Sequence, residues 1–193
     1  MEAIIDKAIK YSARAHNNQF RKGSDIPYIS HPFAVAWILK EANATDDQIV
    51  AGLLHDVVED TEITIEEIEA EFGHKIAKLV EACSEFDPKA NWESRKKHTH
   101  ETLRNAPAEV RLIACADKLH NLRSISLDYD LTGDKVWSKF GRGKESQSWH
   151  YLELADILCD DLENYPEGSI FHQFREEVNH LFKHKLLKNQ SEN

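Results

Sequence analysis

A histidine and an aspartate stand side by side at positions 55 and 56, near the end of the apolar stretch QIVAGLLHDVVED. Two polar side chains in such a stretch need a partner, because burying them alone is costly. A divalent metal is one such partner, since neutral imidazole and carboxylate groups are both metal ligands. Neighbouring residues on a helix point about 100° apart, so the pair can share a metal only where the helix end presses into the site. Alone, the pair is equally typical of solvated acids near a helix end.

Two further residues strengthen the metal interpretation. His31 comes directly before a proline that suits the first turn of a helix, in YISHP. Asp117 is an acid within the otherwise apolar helix ACADKLHNL. The order His, His-Asp, Asp distributes four ligands over three helices, as a pre-organised helical site would. We therefore predict a metal centre formed by His31, His55, Asp56 and Asp117.

A second pair of acids follows the first at helical spacing. Glu59 lies four residues after His55, and Asp60 lies four residues after Asp56. Each acid therefore shares a helix face with a predicted ligand. This arrangement places Glu59 and Asp60 beside the metal centre, and the alternative is a pair of surface acids.

The elements that would position these residues are helices. Glycine (7) and proline (5) are scarce, and Thr45 with Gln48, and Thr64 with Glu67, have the spacing of helix-capping boxes. The expected helices span about residues 3–17, 31–42, 48–60, 65–72, 75–85, 94–105, 108–125, 146–164 and 170–188. Without strand-like alternation, the predicted fold is all-α, a bundle of roughly eight to ten helices. We expect one domain over residues 1–193, with the metal-site core in 3–127, an irregular segment at 128–145 and C-terminal helices in 146–188.

Composition narrows the classes of function. The formal net charge of −10 argues against binding to duplex nucleic acid, which needs a basic face. A small phosphorylated substrate needs only a local cationic cluster or a metal. No apolar run approaches the roughly 18 residues of a membrane span, and the N-terminus lacks the apolar middle of a signal peptide. The cysteines Cys83, Cys115 and Cys159 lie far apart and are expected to be buried thiols in a reducing cytoplasm.

Four segments together resemble a known family: RK followed by PYISHP, then AGLLHDVVEDT, EFGHKIAKLVEAC and ADKLHNLRSI. They are similar to the hydrolase domain of the RelA/SpoT alarmone enzymes, and more closely to the free-standing small alarmone hydrolases that carry this HD domain alone. The resemblance covers residues 3–127 well. It implies an all-α HD domain in which the four predicted ligands hold one divalent metal, Mn²⁺. The implied reaction is hydrolysis of the 3′-pyrophosphate of guanosine penta- or tetraphosphate to pyrophosphate and GTP or GDP.

The resemblance also implies roles for residues around the metal. Glu59 and Asp60 would position or deprotonate the attacking water. Arg21 would stack on the guanine, Lys22 would meet a phosphate, and Asn121, one turn after Asp117, would bind the ribose or its phosphate. For Lys139, Arg142 and Lys144, phosphate contacts and a solvated loop are both open interpretations. The other histidines have no ligand-like context and are expected at the surface or in packing: His16, His74, His98, His100, His120, His150, His172, His180 and His184.

Other functions stay open at this stage. The same metal centre could serve hydrolysis of another nucleotide, such as NADPH or a nucleoside phosphate. A non-catalytic HD binding module is a rival from a different class, although no ligand is missing. An alarmone synthetase is not expected, because the hydrolase pattern leaves no room for a second catalytic domain. The sequence does not distinguish a monomer from a homodimer.

Overall fold

The computed structural model describes residues 2–84 and 90–184, and their regular structure is helical. The α-helices are α1 Ala3–Ala15, α2 Ser30–Glu41, α3 Asp46–Leu54, α4 Val57–Asp60, α5 Ile65–Phe72, α6 His74–Cys83, α7 Trp92–Arg104, α8 Ala108–Thr132, α9 Gly143–Leu158 and α10 Ile170–Val178. Two 3-10 helices, Gly133–Lys139 and Leu162–Asn164, and a π-helical turn, Asn179–His184, complete them. Within the described part, β-structure is limited to one isolated bridge between Phe20 and Pro27. The all-α prediction is confirmed.

Helix starts follow the capping signals of the sequence. The Thr45 side chain accepts a hydrogen bond from the backbone N–H of Gln48, and the Gln48 side chain accepts one from the backbone N–H of Thr45 at 2.7 Å. Thr64 and Glu67 form the same reciprocal pair at the start of α5. Each box satisfies backbone donors that a helix start leaves without a partner.

Three helices carry the predicted ligands and pack directly on one another. Helix α2 contacts both α3 and α8, and α3 also contacts α8. Their shared interface buries large aliphatic side chains, including Leu39, Leu53 and Leu119, which are fully inaccessible to solvent. Helices α2 and α3 approach closely at Gly52, where an added Cβ would lie 2.4 Å from Cδ1 of Leu39. The apolar core thus fixes the positions of the polar side chains that these helices present.

The helix predicted over residues 48–60 is two helices. Helix α3 ends at Leu54 and α4 begins at Val57, so that His55 and Asp56 occupy the break. The backbone N–H of Asp60 then bonds the carbonyl of Asp56 at 2.9 Å and starts the next turn. This break resolves the geometric problem of two adjacent ligands, because their side chains converge instead of diverging around one continuous helix.

The segment 128–145 differs from the irregular conformation expected of it. Helix α8 continues to Thr132, and the following 3-10 helix buries Val136 and Trp137. Its glycines mark helix boundaries: Gly133 follows α8 with φ of 59°, and Gly143 begins α9 with φ of 69°.

Some expectations fall outside the described residues, namely part of the loop at 86–92 and the end of the last predicted helix at 188. Among the described helices, none has both the length and the apolar character that crossing a membrane requires.

Candidate metal centre

The four predicted ligands converge at the junction of α2, α8 and the α3–α4 break. Nε2 of His31 lies 3.1 Å from Oδ1 of Asp117 and 3.4 Å from Oδ2 of Asp56. Nε2 of His55 lies 3.1 Å from Oδ2 of Asp56 and 3.7 Å from Oδ1 of Asp117. His31, His55 and Asp117 are buried, and Asp56 is half-buried. Two imidazole nitrogens and two carboxylate oxygens therefore face one small volume.

The hydrogen bonding and the charged neighbours of His55 show that these four residues fit a metal ion. Its Nδ1 donates to the carbonyl of Gly52 at 2.8 Å, so in the neutral ring Nε2 carries a lone pair. That nitrogen is buried without a hydrogen-bond partner among the described residues, and it faces carboxylate oxygens. Burial opposes protonation, but the charges of Asp56 and Asp117 outweigh it and raise the pKa of His55 well above its usual value. The site thus stabilises a cation, which a divalent metal would supply.

Further side chains hold the carboxylates from outside the cluster. The Tyr28 hydroxyl donates to Oδ2 of Asp56 at 2.7 Å. Asn121 donates to Oδ1 of Asp117, and the Lys118 ammonium donates to Oδ2, both at 2.6 Å. Burial alone would raise the pKa of Asp117, but Lys118, His31 and His55 outweigh it and hold the pKa well below its usual range. Asp117 is therefore ionised, and the surrounding donors orient both carboxylates, as metal ligands require.

His120 contacts the metal centre, unlike the surface or packing role expected for it. Its Nδ1 lies 2.7 Å from Nδ1 of His31, and the two ring centroids are 4.9 Å apart. Burial, with the nearby His31 and Arg21, lowers the pKa of His120 to about 4. His120 is therefore a neutral imidazole at physiological pH.

A cavity of about 430 Å³ opens beside the ligands. Arg21, Glu59 and Asn121, which the sequence analysis assigned to the site, line it together with the four ligands. The end of α6 and one side of α7 form another wall, to which α7 contributes Lys96 and Thr99. Because the cavity adjoins the ligands, a small molecule bound there would lie beside a metal held by them.

Arg21 and Asn121 are joined within this cavity. Nη2 of Arg21 donates to Oδ1 of Asn121 at 2.7 Å, and the guanidinium lies 5.6 Å from the ring centroid of Tyr28. Since Asn121 also donates to Asp117, a two-bond chain links Arg21 to a predicted metal ligand. Arg21 thus combines a contact to the metal centre with a planar surface against an aromatic ring.

Two other predicted site residues, Lys22 and Asp60, lie outside the lining of the cavity. Nζ of Lys22 lies 5.7 Å from the ring centroid of Phe140. Asp60 interacts with the Tyr28 hydroxyl, and its pKa is raised by partial burial and by the charge of Asp56. Neither Lys22 nor Asp60 is among the described residues that line the cavity.

The three cations of the 139–144 segment form ion pairs with carboxylates of the protein. Lys139 contacts Asp128 at 2.8 Å, Lys144 contacts Asp134 at 3.0 Å, and Arg142 contacts Glu93 at 3.1 Å. Of the two interpretations, this arrangement favours structural surface contacts over phosphate binding.

Sequence reasoning missed several residues of the site, including Tyr28, His120 and Lys96. Tyr28 and His120 stand inside the motifs PYISHP and ADKLHNL, so their proximity to the ligands was a usable signal. Lys96 belongs to a polar helix rich in lysine and histidine, where no pattern distinguishes the side facing a cavity from the side facing solvent.

A model of the HD-domain family matches residues 8–145. The chain belongs to the HD-domain family. Its membership agrees with the His and Asp cluster described above, since HD domains hold a divalent metal with these residue types. The match spans α2, α3 and α8, so it includes all four converging residues.

Individual relatives match this chain over different shares of its length and of their own. A Synechocystis protein named probable guanosine-3′,5′-bis(diphosphate) 3′-pyrophosphohydrolase is 41% identical over 63% of the chain, which corresponds to only 17% of that protein's length. The Homo sapiens guanosine-3′,5′-bis(diphosphate) 3′-pyrophosphohydrolase MESH1 is 34% identical over 96% of both chains. A solved structure of a metazoan ortholog of SpoT, described as hydrolysing ppGpp, has a TM-score of 0.75 and 26% identity over 95% of this chain and 97% of its own.

Proposed function

We propose that this HD-domain protein hydrolyses the 3′-pyrophosphate of guanosine tetra- and pentaphosphate, using Mn²⁺, and releases pyrophosphate with GDP or GTP. The observation that carries the proposal is one cavity lined by the two-histidine, two-aspartate cluster, by Glu59 and by the Arg21–Asn121 pair. End-to-end similarity to a human relative named for this reaction supports it.

The metal would be held by His31, His55, Asp56 and Asp117. A mixed nitrogen and oxygen set accepts several divalent ions, Mn²⁺ among them, and the resemblance to the small alarmone hydrolases selects Mn²⁺. Bound there, the metal would supply Lewis acidity to polarise the phosphoryl group and to lower the pKa of the attacking water. The surrounding donors from Tyr28, Asn121 and Lys118 keep both carboxylates in place for this task.

The acids of α4 would handle the water. Glu59 lines the same cavity as the ligands, one helical turn after His55. We assign to Glu59 the acceptance of a proton from that water. Asp60 interacts with the Tyr28 hydroxyl, which donates a hydrogen bond to Asp56. We therefore assign to Asp60 the orientation of the Tyr28 side chain.

Other side chains in and near the cavity would bind the base, the ribose and an outer phosphate of the substrate. The Arg21 guanidinium offers a flat cationic surface for a guanine base. Asn121 sits between Arg21 and Asp117, where its amide would meet the ribose or its 3′-phosphate. Lys22 follows Arg21 in the same loop, and we assign it to an outer phosphate.

A substrate screen tests the function. Purified protein treated with chelator and reloaded with Mn²⁺ is offered guanosine tetraphosphate, guanosine pentaphosphate, NADPH and ordinary nucleotides, and pyrophosphate and orthophosphate are measured separately. We expect pyrophosphate with GDP or GTP from the first two compounds. Orthophosphate from NADPH with no turnover of the guanosine compounds would refute the proposed substrate and favour the alternative nucleotide hydrolase.

The same samples test the metal. Chelation should abolish activity, and Mn²⁺ should restore it better than Mg²⁺, because imidazole ligands suit Mn²⁺ better than the harder Mg²⁺. Full activity in a sample shown to be metal-free would refute a metal-dependent reaction.

A further inference from the structure

In the hydrogen bond between His31 and His120, the donor and the acceptor can be assigned. Nε2 of His31 points at Oδ1 of Asp117, 3.1 Å away, and at Oδ2 of Asp56. This is the nitrogen that would bind a metal, so it must be free of its proton. A neutral imidazole carries one proton, and the proton of His31 must then be on Nδ1. That Nδ1 faces Nδ1 of His120 at 2.7 Å, within hydrogen-bond distance.

The acceptor in this bond follows from the donor. If His31 donates through Nδ1, Nδ1 of His120 must accept with a lone pair, and the proton of His120 is on Nε2. A ligating histidine usually donates its second N–H to a carboxylate, a carbonyl or a water. His55 follows that rule with the carbonyl of Gly52 at 2.8 Å. His31 has a second imidazole in the equivalent place.

We infer that His120 is a positioning residue of the metal centre, which accepts a hydrogen bond from Nδ1 of His31 and thereby fixes the tautomer and ring orientation in which Nε2 of His31 binds the metal. The inference rests on the metal centre of the proposed function but not on the identity of the substrate. Partial burial of His120 limits the access of water that could replace it as an acceptor.

The backbone supports the position of His120. His120 belongs to α8, as does Asp117, so a single helix supplies one ligand and three side chains that orient ligands, namely Lys118, His120 and Asn121. His31 lies in the first turn of α2, which packs on α8. The His31–His120 bond therefore spans the α2–α8 interface and orients the α2 ligand from α8.

Metal affinity, measured without substrate, tests the inference. We compare the unsubstituted protein with His120→Phe, which has no acceptor, and with His120→Gln, whose amide oxygen can accept. Binding of Mn²⁺ is measured by calorimetry and by the electron paramagnetic resonance signal of free Mn²⁺. We expect His120→Phe to weaken Mn²⁺ binding by about 10–100-fold, as loss of an outer partner of a ligand typically does, and His120→Gln to recover most of that loss.

The chain offers a matched control in its second histidine pair. His100 Nε2 and His150 Nδ1 are 2.9 Å apart and buried, and neither ring has a hydrogen bond to a predicted ligand in the described structure. His150→Phe breaks this pair and should lower thermal stability while leaving the Mn²⁺ dissociation constant within about twofold, because no ligand loses a partner. Equal weakening by His120→Phe and His150→Phe, or unchanged affinity in a folded His120→Phe, would overturn the inference.

A measurement on the unsubstituted protein does not depend on how the variants fold. With ¹⁵N-labelled histidine and diamagnetic Zn²⁺ in place of Mn²⁺, nitrogen chemical shifts report which ring nitrogen carries the proton. We expect a proton on Nδ1 of His31 and on Nε2 of His120. A proton on Nδ1 of His120 would make it a donor and refute the inference, even if the protein hydrolyses guanosine tetraphosphate.

Discussion

The side chains at the metal centre differ in role, because some would bind the metal and Glu59 would act on the attacking water. His55 and Asp117 lie within 4 Å of one another, whereas Glu59 lines the cavity one turn further along. We therefore expect His55→Ala and Asp117→Ala to lose both bound metal and activity. Glu59→Ala should keep the metal while kcat falls by about 10²–10⁴-fold, the usual contribution of a general acid–base group.

Metal content and kcat, measured on the same preparations, separate these roles. Glu62→Ala is the matched control, because Glu62 is an exposed acid three residues after Glu59 and should change neither quantity. If Glu59→Ala lost metal as completely as Asp117→Ala, Glu59 would be a ligand and its assignment to the water would be wrong.

Arg21 should act mainly on substrate binding. A guanidinium stacked on guanine is distant from the reacting phosphorus, so its contribution should be similar in the ground and transition states and should appear in KM. A cation–π contact of roughly 1–2 kcal/mol predicts that Arg21→Ala raises KM for guanosine tetraphosphate by about five- to thirty-fold. A smaller 3′-phosphorylated analogue without guanine should be almost unaffected. Equal damage on both compounds would mean that Arg21 binds phosphate.

Asn121 should behave differently because it donates to Asp117 at 2.6 Å. Asn121→Ala removes both a proposed substrate contact and a partner of a metal ligand. We expect lower kcat on guanosine tetraphosphate and on the analogue, with weaker Mn²⁺ binding. Kinetics on the two compounds, with metal affinity measured in parallel, check this. A pure rise in KM with unchanged metal affinity would contradict the role of Asn121 at Asp117.

At the scale of elements, close packing of α2 on α3 sets the distance between His31 and His55. A Cβ on Gly52 would lie 2.4 Å from Leu39 Cδ1 and 3.4 Å from Val35 Cγ1. Alanine favours a helix interior by about 1 kcal/mol over glycine, but overpacking a core costs typically 1–3 kcal/mol. We expect Gly52→Ala to lower the free energy of unfolding by up to about 2 kcal/mol in urea titrations.

Two further variants make the Gly52 prediction specific. Leu39→Val, combined with Gly52→Ala, shortens the opposing side chain and should recover part of the loss. Gly141→Ala is the control, because an added Cβ there meets no atom of the described structure within 4 Å, and it should be nearly neutral. If Gly52→Ala were as stable as the unsubstituted protein, the Leu39 side chain would move aside without a cost in free energy, and the prediction would be wrong.

Sequence reasoning predicted most elements correctly because their signals are local. Capping boxes at Thr45 and Thr64 and helical spacing of apolar residues located the helices that bring the ligands together. The break at His55 and Asp56 was missed because it depends on polar partners from α2 and α8, which are distant in sequence. The irregular conformation expected at 128–145 is not observed, since Gly133 and Gly143 bound helices there and Trp137 is buried in the 3-10 helix between them.

At the scale of the whole molecule, the fold gathers cations around one cavity of an acidic chain. The protein has a formal net charge of −10, yet Arg21, Lys96 and Lys118 contribute cations to the cavity wall. The same wall carries the carboxylates of Asp56, Glu59, Glu81 and Asp117, so an anionic nucleotide would need a divalent metal beside the three cations. A sequence total cannot reveal this, because only the fold brings the loop, α7 and α8 together.

The contact between α7 and α9 should make the stability of the whole chain depend on pH. His100 on α7 and His150 on α9 stack with ring centroids 5.0 Å apart and are 3% and 4% exposed. Burial lowers the pKa of both, and the charge of Lys96 lowers both further, while Glu153 partly opposes the effect on His100. Both rings therefore stay neutral in the folded protein at pH values where an unfolded chain would protonate them.

The sign of the effect follows from this difference. Above the unfolded pKa of about 6.5, neither state binds these protons and the pair adds no pH dependence. Below it, the unfolded chain takes up protons that the folded chain excludes, so stability falls by up to about 1.4 kcal/mol per pH unit for each histidine until the lowered folded pKa is reached. Urea unfolding of chelator-treated protein at pH 7.5, 6.5 and 5.5 measures the total slope, and the double variant His100→Phe/His150→Phe isolates the contribution of the pair. We expect the double variant to lose less stability between pH 6.5 and 5.5 than the unsubstituted protein; equal losses would mean that both histidines titrate normally in the fold.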